Sequence, residues 1–152
     1  MPKSILEEKC RAALSERIMK LSPDSPAKWG SLTVGGMLCH IGDGMEQSLG
    51  RREDIDRSTF LFRTVVKFLV LHVLPMPKGA PTSPRLDPNR EGTHPQEFER
   101  DRNRALALLE ESAIWPKDRP MAPHPAFGPM TRAQRGILTW KHIHHHLKQF
   151  EA

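Results

Sequence analysis

Apolar residues recur at helical spacing in five stretches of the chain, separated by proline-rich or charged segments. From Ser4 to about Leu21, the residues Leu6, Cys10, Ala13, Leu14, Ile18 and Leu21 form one stripe, with Glu7, Lys9, Arg11 and Lys20 mostly off it. Ser22-Pro23-Asp24-Ser25-Pro26 ends that helix, because proline cannot continue it. A second helix is predicted after Thr33, a good N-cap, with Val34, Met37, Leu38, Ile41, Met45 and Leu49 inward and Gly50 closing it. Arg51 to Arg57 reads as charged linker. Phe60 to Leu74 is a third, mostly apolar helix whose only charges, Arg63 and Lys67, stand four apart on one narrow face. A helix of that composition is expected to be buried or to form a subunit interface.

A fourth helix is expected from about Pro95 to Ala113, with Phe98, Ala105, Leu106, Leu109 and Ala113 buried and Glu97, Glu99, Arg100 and Arg104 outside. The last opens at Thr131-Arg-Ala-Gln134, a capping-box pattern, and runs to Phe150 with Ile137, Trp140, Ile143, Leu147 and Phe150 as core. No stretch alternates with period two, and there is no internal repeat. The fold class predicted is all-α: one domain over residues 1–152, four main helices and one short apolar one, most simply a bundle. Two long loops interrupt it. Pro75 to Pro95 contains PMPKGAPTSPRLDP, and WPKDRPMAPHPAFGPM precedes the last helix. Ordered loops of that length tend to be functional or to wrap the surface.

Charge changes the picture little. Lys plus Arg number 23 against 18 Asp plus Glu, a net +5, and the excess is spread evenly over the two halves. Phosphate tracking needs clustered cations, so nucleic acid is not the expected partner. Phe60 to Leu74 is too short and too charged to span a bilayer. Glu7 and Glu8 interrupt any secretion-like apolar run, and two cysteines with no CxxC spacing fit a reducing compartment, so a cytoplasmic protein acting on a small molecule is expected.

The candidate chemistry is histidine. His142 and His146 are four apart, so their side chains leave consecutive turns on one face, where two imidazoles can share one metal ion. A solvated histidine run, His144-His145-His146, is the plain alternative. There is no HExxH, so a zincin protease mechanism has no support. His40 is the third candidate ligand. Gly36 and Gly44 flank it at i−4 and i+4, which either keeps that face clear for a ligand or lets another helix pack closely. Asp43 and Gln47 lie beside it as a polar stripe, and Asp43, one turn from a ligand histidine, reads as a group that handles a proton or supports that histidine, or as an ordinary exposed acid. Cys39 projects about 100° from His40, poor geometry for a Cys–His pair, and reads as a core thiol. His124, in the loop entering the last helix, is the remaining histidine placed to face the site.

His40, together with HIHHHLKQ over 142–149, resembles the DinB/YfiT-like superfamily, and TVGGMLCHIGDGMEQSLG, PMPKGAPTSP, HPAFGPMT and WKHIHHHLKQF are similar to one branch of it. The resemblance implies a four-helix bundle in which His40, His142 and His146 hold a divalent metal, zinc or nickel first, with open coordination positions. It implies thiol-dependent transferase chemistry with a low-molecular-weight thiol cosubstrate. For such a reaction Asp43 is the expected catalytic group, orienting a ligand imidazole or moving a proton, while Gln149 buttresses the site and His124 closes over it from its loop, both contacting the cofactor. His144 stands where that branch carries an acidic residue. A metal-dependent hydrolase and a non-catalytic metal- or ligand-binding module are the alternatives, the latter as a homodimer through Phe60 to Leu74.

Overall fold

The computed structural model describes residues 1–152 and is all-helical, with no β-strand. Its elements are α1 (Glu8–Met19), α2 (Val34–Ser48), α3 (Lys67–His72), α4 (Phe98–Ile114) and α5 (Arg132–Gln149). A π-helical turn, Phe62–Val66, runs directly into α3, and a single 3-10 turn, Pro84–Leu86, punctuates the long loop.

The helix starts follow local chemistry. Thr33 Oγ1 accepts the Gly36 N–H and begins α2, and Thr131 and Gln134 form the reciprocal capping box of α5. At α4 the cap is Glu97, whose carboxylate accepts the N–H groups of Glu99 and Arg100, so the helix begins after the Pro95 turn.

The four long helices close a ring of pairwise contacts in which α1 and α2 each pack against both α4 and α5. Their inward stripes merge into one core, including Leu14, Ile18, Met37, Leu38, Ile41, Leu109, Ile143 and Leu147, all nearly inaccessible. Fully burying each such side chain contributes roughly 1.5–3 kcal/mol.

The apolar segment departs from expectation. Residues 60–72 form a helix, but most of it is not buried: Phe60 is 83% exposed, Phe68 59% and Val65 52%. Only its inner edge packs, through Leu71 against Phe127 and Leu138. Its two cations are each engaged by a partner. Arg63 pairs with Asp56 at 2.9 Å, and Lys67 donates to the Pro129 carbonyl at 2.7 Å. No helix is long and apolar enough to cross a membrane.

Candidate metal centre

The seam between α2 and α5 carries the histidines. His40 Nε2 lies 2.9 Å from His142 Nε2, and one ring nitrogen from each of His40, His142 and His146 falls within 4.8 Å of the other two. The three rings meet edge to face with centroids 4.8 Å apart. His40 is 5% exposed and His146 9%.

Two of the three imidazoles have their tautomer set by the protein. His40 Nδ1 donates to the Leu86 carbonyl at 2.7 Å, and a carbonyl can only accept, so Nδ1 carries the proton and Nε2 keeps its lone pair. His146 Nδ1 donates to Gln149 Oε1 at 2.8 Å, while Gln149 Nε2 donates to the Trp29 carbonyl at 2.8 Å. That second bond fixes which end of the amide faces the histidine. Both His40 and His146 therefore present bare Nε2 atoms to one point. Hydrogen-bonded partners of this kind orient ligating imidazoles.

Electrostatics keep the rings neutral. Burial pushes the pKa of His142 well below the ordinary histidine value and brings that of His146 to about 3, with repulsion between the clustered rings adding to both. His40 is lowered as well, by burial first. Neutral imidazoles are the form that binds metal. The donor set fits a borderline divalent ion such as zinc or nickel. A tetrahedral ion with nitrogen ligands at 2.0–2.1 Å needs nitrogens about 3.4 Å apart, within the range the three histidines span.

The flanking glycines differ in what surrounds them. A Cβ on Gly44 would lie 3.6 Å from the His142 ring, an ordinary contact, so the ring packs against α2 here without needing a glycine. A Cβ on Gly36 would meet Thr33 Oγ1 at 3.1 Å and Pro88 at 3.4 Å, which is close packing of the long loop.

Asp43 is fully buried, but it does not point at a reacting group. Its carboxylate accepts from Thr93 N and Thr93 Oγ1 at 2.7 Å each, pairs with Arg104 at 2.8 Å, and lies 3.1 Å from Arg52. Glu46 completes the cluster at 3.0 Å from Arg104. With its lone pairs occupied, Asp43 is a positioning residue. It clamps Thr93, and with it the loop whose Leu86 carbonyl orients His40. The expectation of an exposed helix acid is corrected, because Asp43 is fully buried, and its contacts fit the expectation of a group that supports a ligand histidine. Arg104, expected outside α4, turns inward past Gly42 to reach it; a Cβ on Gly42 would come within 2.6 Å of Arg104 Nη1.

Gln149, expected to contact the cofactor, is bonded to His146 and to the Trp29 carbonyl. His124 is tied into its own loop. Its Nδ1 accepts from Ala126 N at 3.0 Å and Phe127 N at 3.2 Å, and its ring stacks on Phe127. An Nδ1 that accepts two N–H groups places the proton of the neutral ring on Nε2, so His124 is not a metal ligand in this arrangement. His144 stacks on Trp140 and accepts from Arg17 at 2.8 Å. The Cys39 thiol is buried and pushed up to about 11 by burial and by Asp101 and Asp43, which leaves it unreactive at neutral pH.

Several contributors have no mark in the sequence. The Leu86 and Trp29 carbonyls are backbone groups, and no residue type announces them. Arg52 and Arg104 reach Asp43 from other elements, and the only hint is a charged residue beside the buried Ala105 on α4.

Comparison with curated proteins and with solved structures returns no match. Residues 6–152 match a family described as "Protein of unknown function (DUF1569)", and the chain belongs to that family.

Proposed function

We propose that this chain is a DinB/YfiT-like four-helix bundle holding a divalent metal, zinc or nickel, on His40, His142 and His146, and that it is a metal-dependent enzyme of the thiol-dependent transferase type. The observation that carries the metal reading is the pair of fixed tautomers: Leu86 and Gln149 hold two imidazoles with bare Nε2 atoms aimed at one point beside His142. A structural histidine pair has no need of such orientation on both sides.

A divalent ion at this place lowers the pKa of a thiol or a water, which supplies a nucleophile at neutral pH. The chain's own residues hold and orient. Asp43, through Thr93, keeps the long loop seated, so that Leu86 sets His40. Gln149 sets His146. The inert Cys39 fits a reaction whose sulfur comes from a small cosubstrate. Metal-assisted hydrolysis is the second reading, favoured by the same neutral histidine set, and it uses water in place of the thiol.

We further propose a second copy of the chain as the occupant of the exposed face of residues 60–74. That face is apolar and its two cations are each held by a partner, so a second apolar face complements it.

Metal analysis of the purified protein, then conjugation assays pairing low-molecular-weight thiols with electrophiles, with and without metal, test the reading. Stoichiometric metal and metal-dependent thiol consumption are expected. Metal-loaded protein that neither consumes thiol nor hydrolyses any of a substrate panel overturns the enzyme reading and leaves a binding module.

A further inference from the structure

The α2–α5 seam has a second rung. On α2, Gln47 follows His40 by seven residues, and on α5, Arg135 precedes His142 by seven. Seven residues are close to two helical turns, so each pair shares a face about 10 Å apart along the axis. The rungs match across the seam: His40 meets His142 at 2.9 Å, and Arg135 Nη2 donates to Gln47 Oε1 at 2.9 Å. Helices α2 and α5 therefore run antiparallel, and the two polar rungs lie along one seam, with the His142 ring against Gly44 between them.

Arg135 is anomalous. It is 4% exposed and has no carboxylate partner. Its two hydrogen bonds, to Gln47 Oε1 and to the Ala122 carbonyl at 2.8 Å, both use Nη2 and go to neutral oxygens. Its Nε is buried and unpartnered. The guanidiniums of Arg11, Arg52, Arg102 and Arg104 each meet a carboxylate. Arg17 and Arg132, which bond backbone carbonyls, lie nearer solvent. Arg135 also stands in the first turn of α5, where the helix dipole favours anions and no acidic residue is present. Burial alone brings its pKa down to about 10. A cation kept out of water with no counter-charge destabilises the fold unless something binds it.

We propose that Arg135 is a carboxylate-binding subsite: the substrate is a small molecule whose carboxylate sits on Arg135 with Gln47 beside it, while its reacting end lies at the histidine triad. One cation flanked by a neutral amide suits a monoanionic carboxylate better than a phosphate dianion, which calls for a second cation. The inference rests on the metal reading for the reacting end only, so its two ends are tested separately.

The first arm uses metal-free, full-length protein at pH 7.5 and constant ionic strength, melted in sodium propionate, in sodium phosphate, and in sodium chloride with propionamide as the neutral control. Propionate is expected to raise the melting temperature above the chloride and phosphate values in the wild type and not in Arg135→Met. In chloride alone, Arg135→Met should melt at or above the wild-type temperature, because an unpaired buried cation has been removed. An equal propionate response in both proteins overturns the subsite, and a larger phosphate response overturns the carboxylate assignment. If Arg135→Met fails to fold, Arg135→Lys decides: a retained propionate response supports the subsite, and its loss assigns Arg135 a purely structural role.

The second arm titrates zinc-loaded protein with a homologous series of hydroxamates ending in carboxylate or in methyl. At the matching length the carboxylate form should bind about tenfold tighter or more, a difference absent in Arg135→Met. Zinc and hydroxamate binding with no carboxylate preference sinks the subsite and spares the metal centre. A propionate response without zinc binding does the reverse.

Discussion

Two regions lean on α5 and are built in opposite ways. Along the α2–α5 seam, polar side chains are buried and nearly every polar atom is assigned a partner: His40 to Leu86, His146 to Gln149, and Asp43 to Thr93, Arg52 and Arg104. Over residues 60–72 the reverse holds, with large apolar side chains in solvent. Both arrangements cost stability, the first through desolvation and the second through unburied apolar surface. The two costs buy different things. Preorganised polar groups in a dry seam hold a small ligand in a fixed place, whereas an exposed apolar face suits a broad contact with another surface.

Acid is the largest expected way to break the seam. In metal-free protein, burial holds the His124 pKa at about 3, and the nearby Arg135 and Lys67 cations add to the effect. The folded value lies below the unfolded value of about 6.5, so the unfolded chain binds more protons between them. The stability from His124 is fully present above pH 6.5 and is lost as pH falls toward 3, with a slope approaching 1.4 kcal/mol per pH unit. Unfolding free energies from denaturant titrations between pH 7.5 and 4 should fall by about a few kcal/mol in total, and a His124→Phe variant should flatten the slope. An unchanged slope in that variant removes His124 as the cause.

The proposed metal ligands come next. His142→Ala should lower zinc affinity at least a hundredfold by calorimetry while leaving the helical circular dichroism in place, since it deletes a ligand and not a core contact. Undiminished zinc binding in this variant would refute the triad. Asp43→Asn should destabilise the fold by about 3 kcal/mol, because Arg52 and Arg104 lose a buried counter-charge. Zinc affinity should fall only modestly, through the loosened Leu86 contact. A stability change below about 1 kcal/mol would show that Glu46 alone satisfies the cluster.

How far these features can be read from sequence follows from how local each one is. The caps at Thr33 and Thr131 and the core stripes of α2 and α5 are set by residues within a turn or two, and the spacing of hydroxyls and apolar side chains reveals them. The convergence of His40 with the His142–His146 pair could be anticipated because all three occupy one face of two amphipathic helices. The supporting groups could not. Leu86 and Trp29 act through carbonyls, and the inward turn of Arg104 depends on the space left at Gly42. For residues 60–72 the composition was legible and the environment was not: apolar content does not distinguish a core from an uncovered face.

A smaller effect distinguishes orientation from ligation. In Gln149→Leu the His146 ring keeps its place on α5 but loses the bond that fixes its tautomer. Zinc affinity should drop about 10- to 100-fold, with stability changing by about 1 kcal/mol. Gly30→Ala approaches the same bond from the other side. Gly30 has φ +77°, and a Cβ there would come within 2.8 Å of Gln149 Nε2, so the substitution should reproduce part of the Gln149→Leu loss. A Gly30→Ala protein with unaltered zinc affinity would uncouple Trp29 and Gln149 from the centre.

The smallest effect on the fold is the one that decides the other half of the comparison. Phe68 is 59% exposed and belongs to neither core cluster, so Phe68→Glu should change the unfolding free energy by no more than about 0.5 kcal/mol. Its effect on association should be far larger. Phe60, Leu61, Val65 and Phe68 present apolar surface, with Arg63 held by Asp56 and Lys67 by the Pro129 carbonyl. A two-fold pairing would place that surface against its own copy, and a glutamate near its centre would meet another glutamate across the axis. Sedimentation of the wild type over a hundredfold concentration range is expected to follow a monomer–dimer equilibrium, and Phe68→Glu should weaken it at least tenfold while its melting curve overlays the wild type. A wild type that stays monomeric throughout would mean the exposed face serves something other than a second copy. A Phe68→Glu protein that melts early would mean the helix is part of the fold after all, and the contrast between the two regions would not hold.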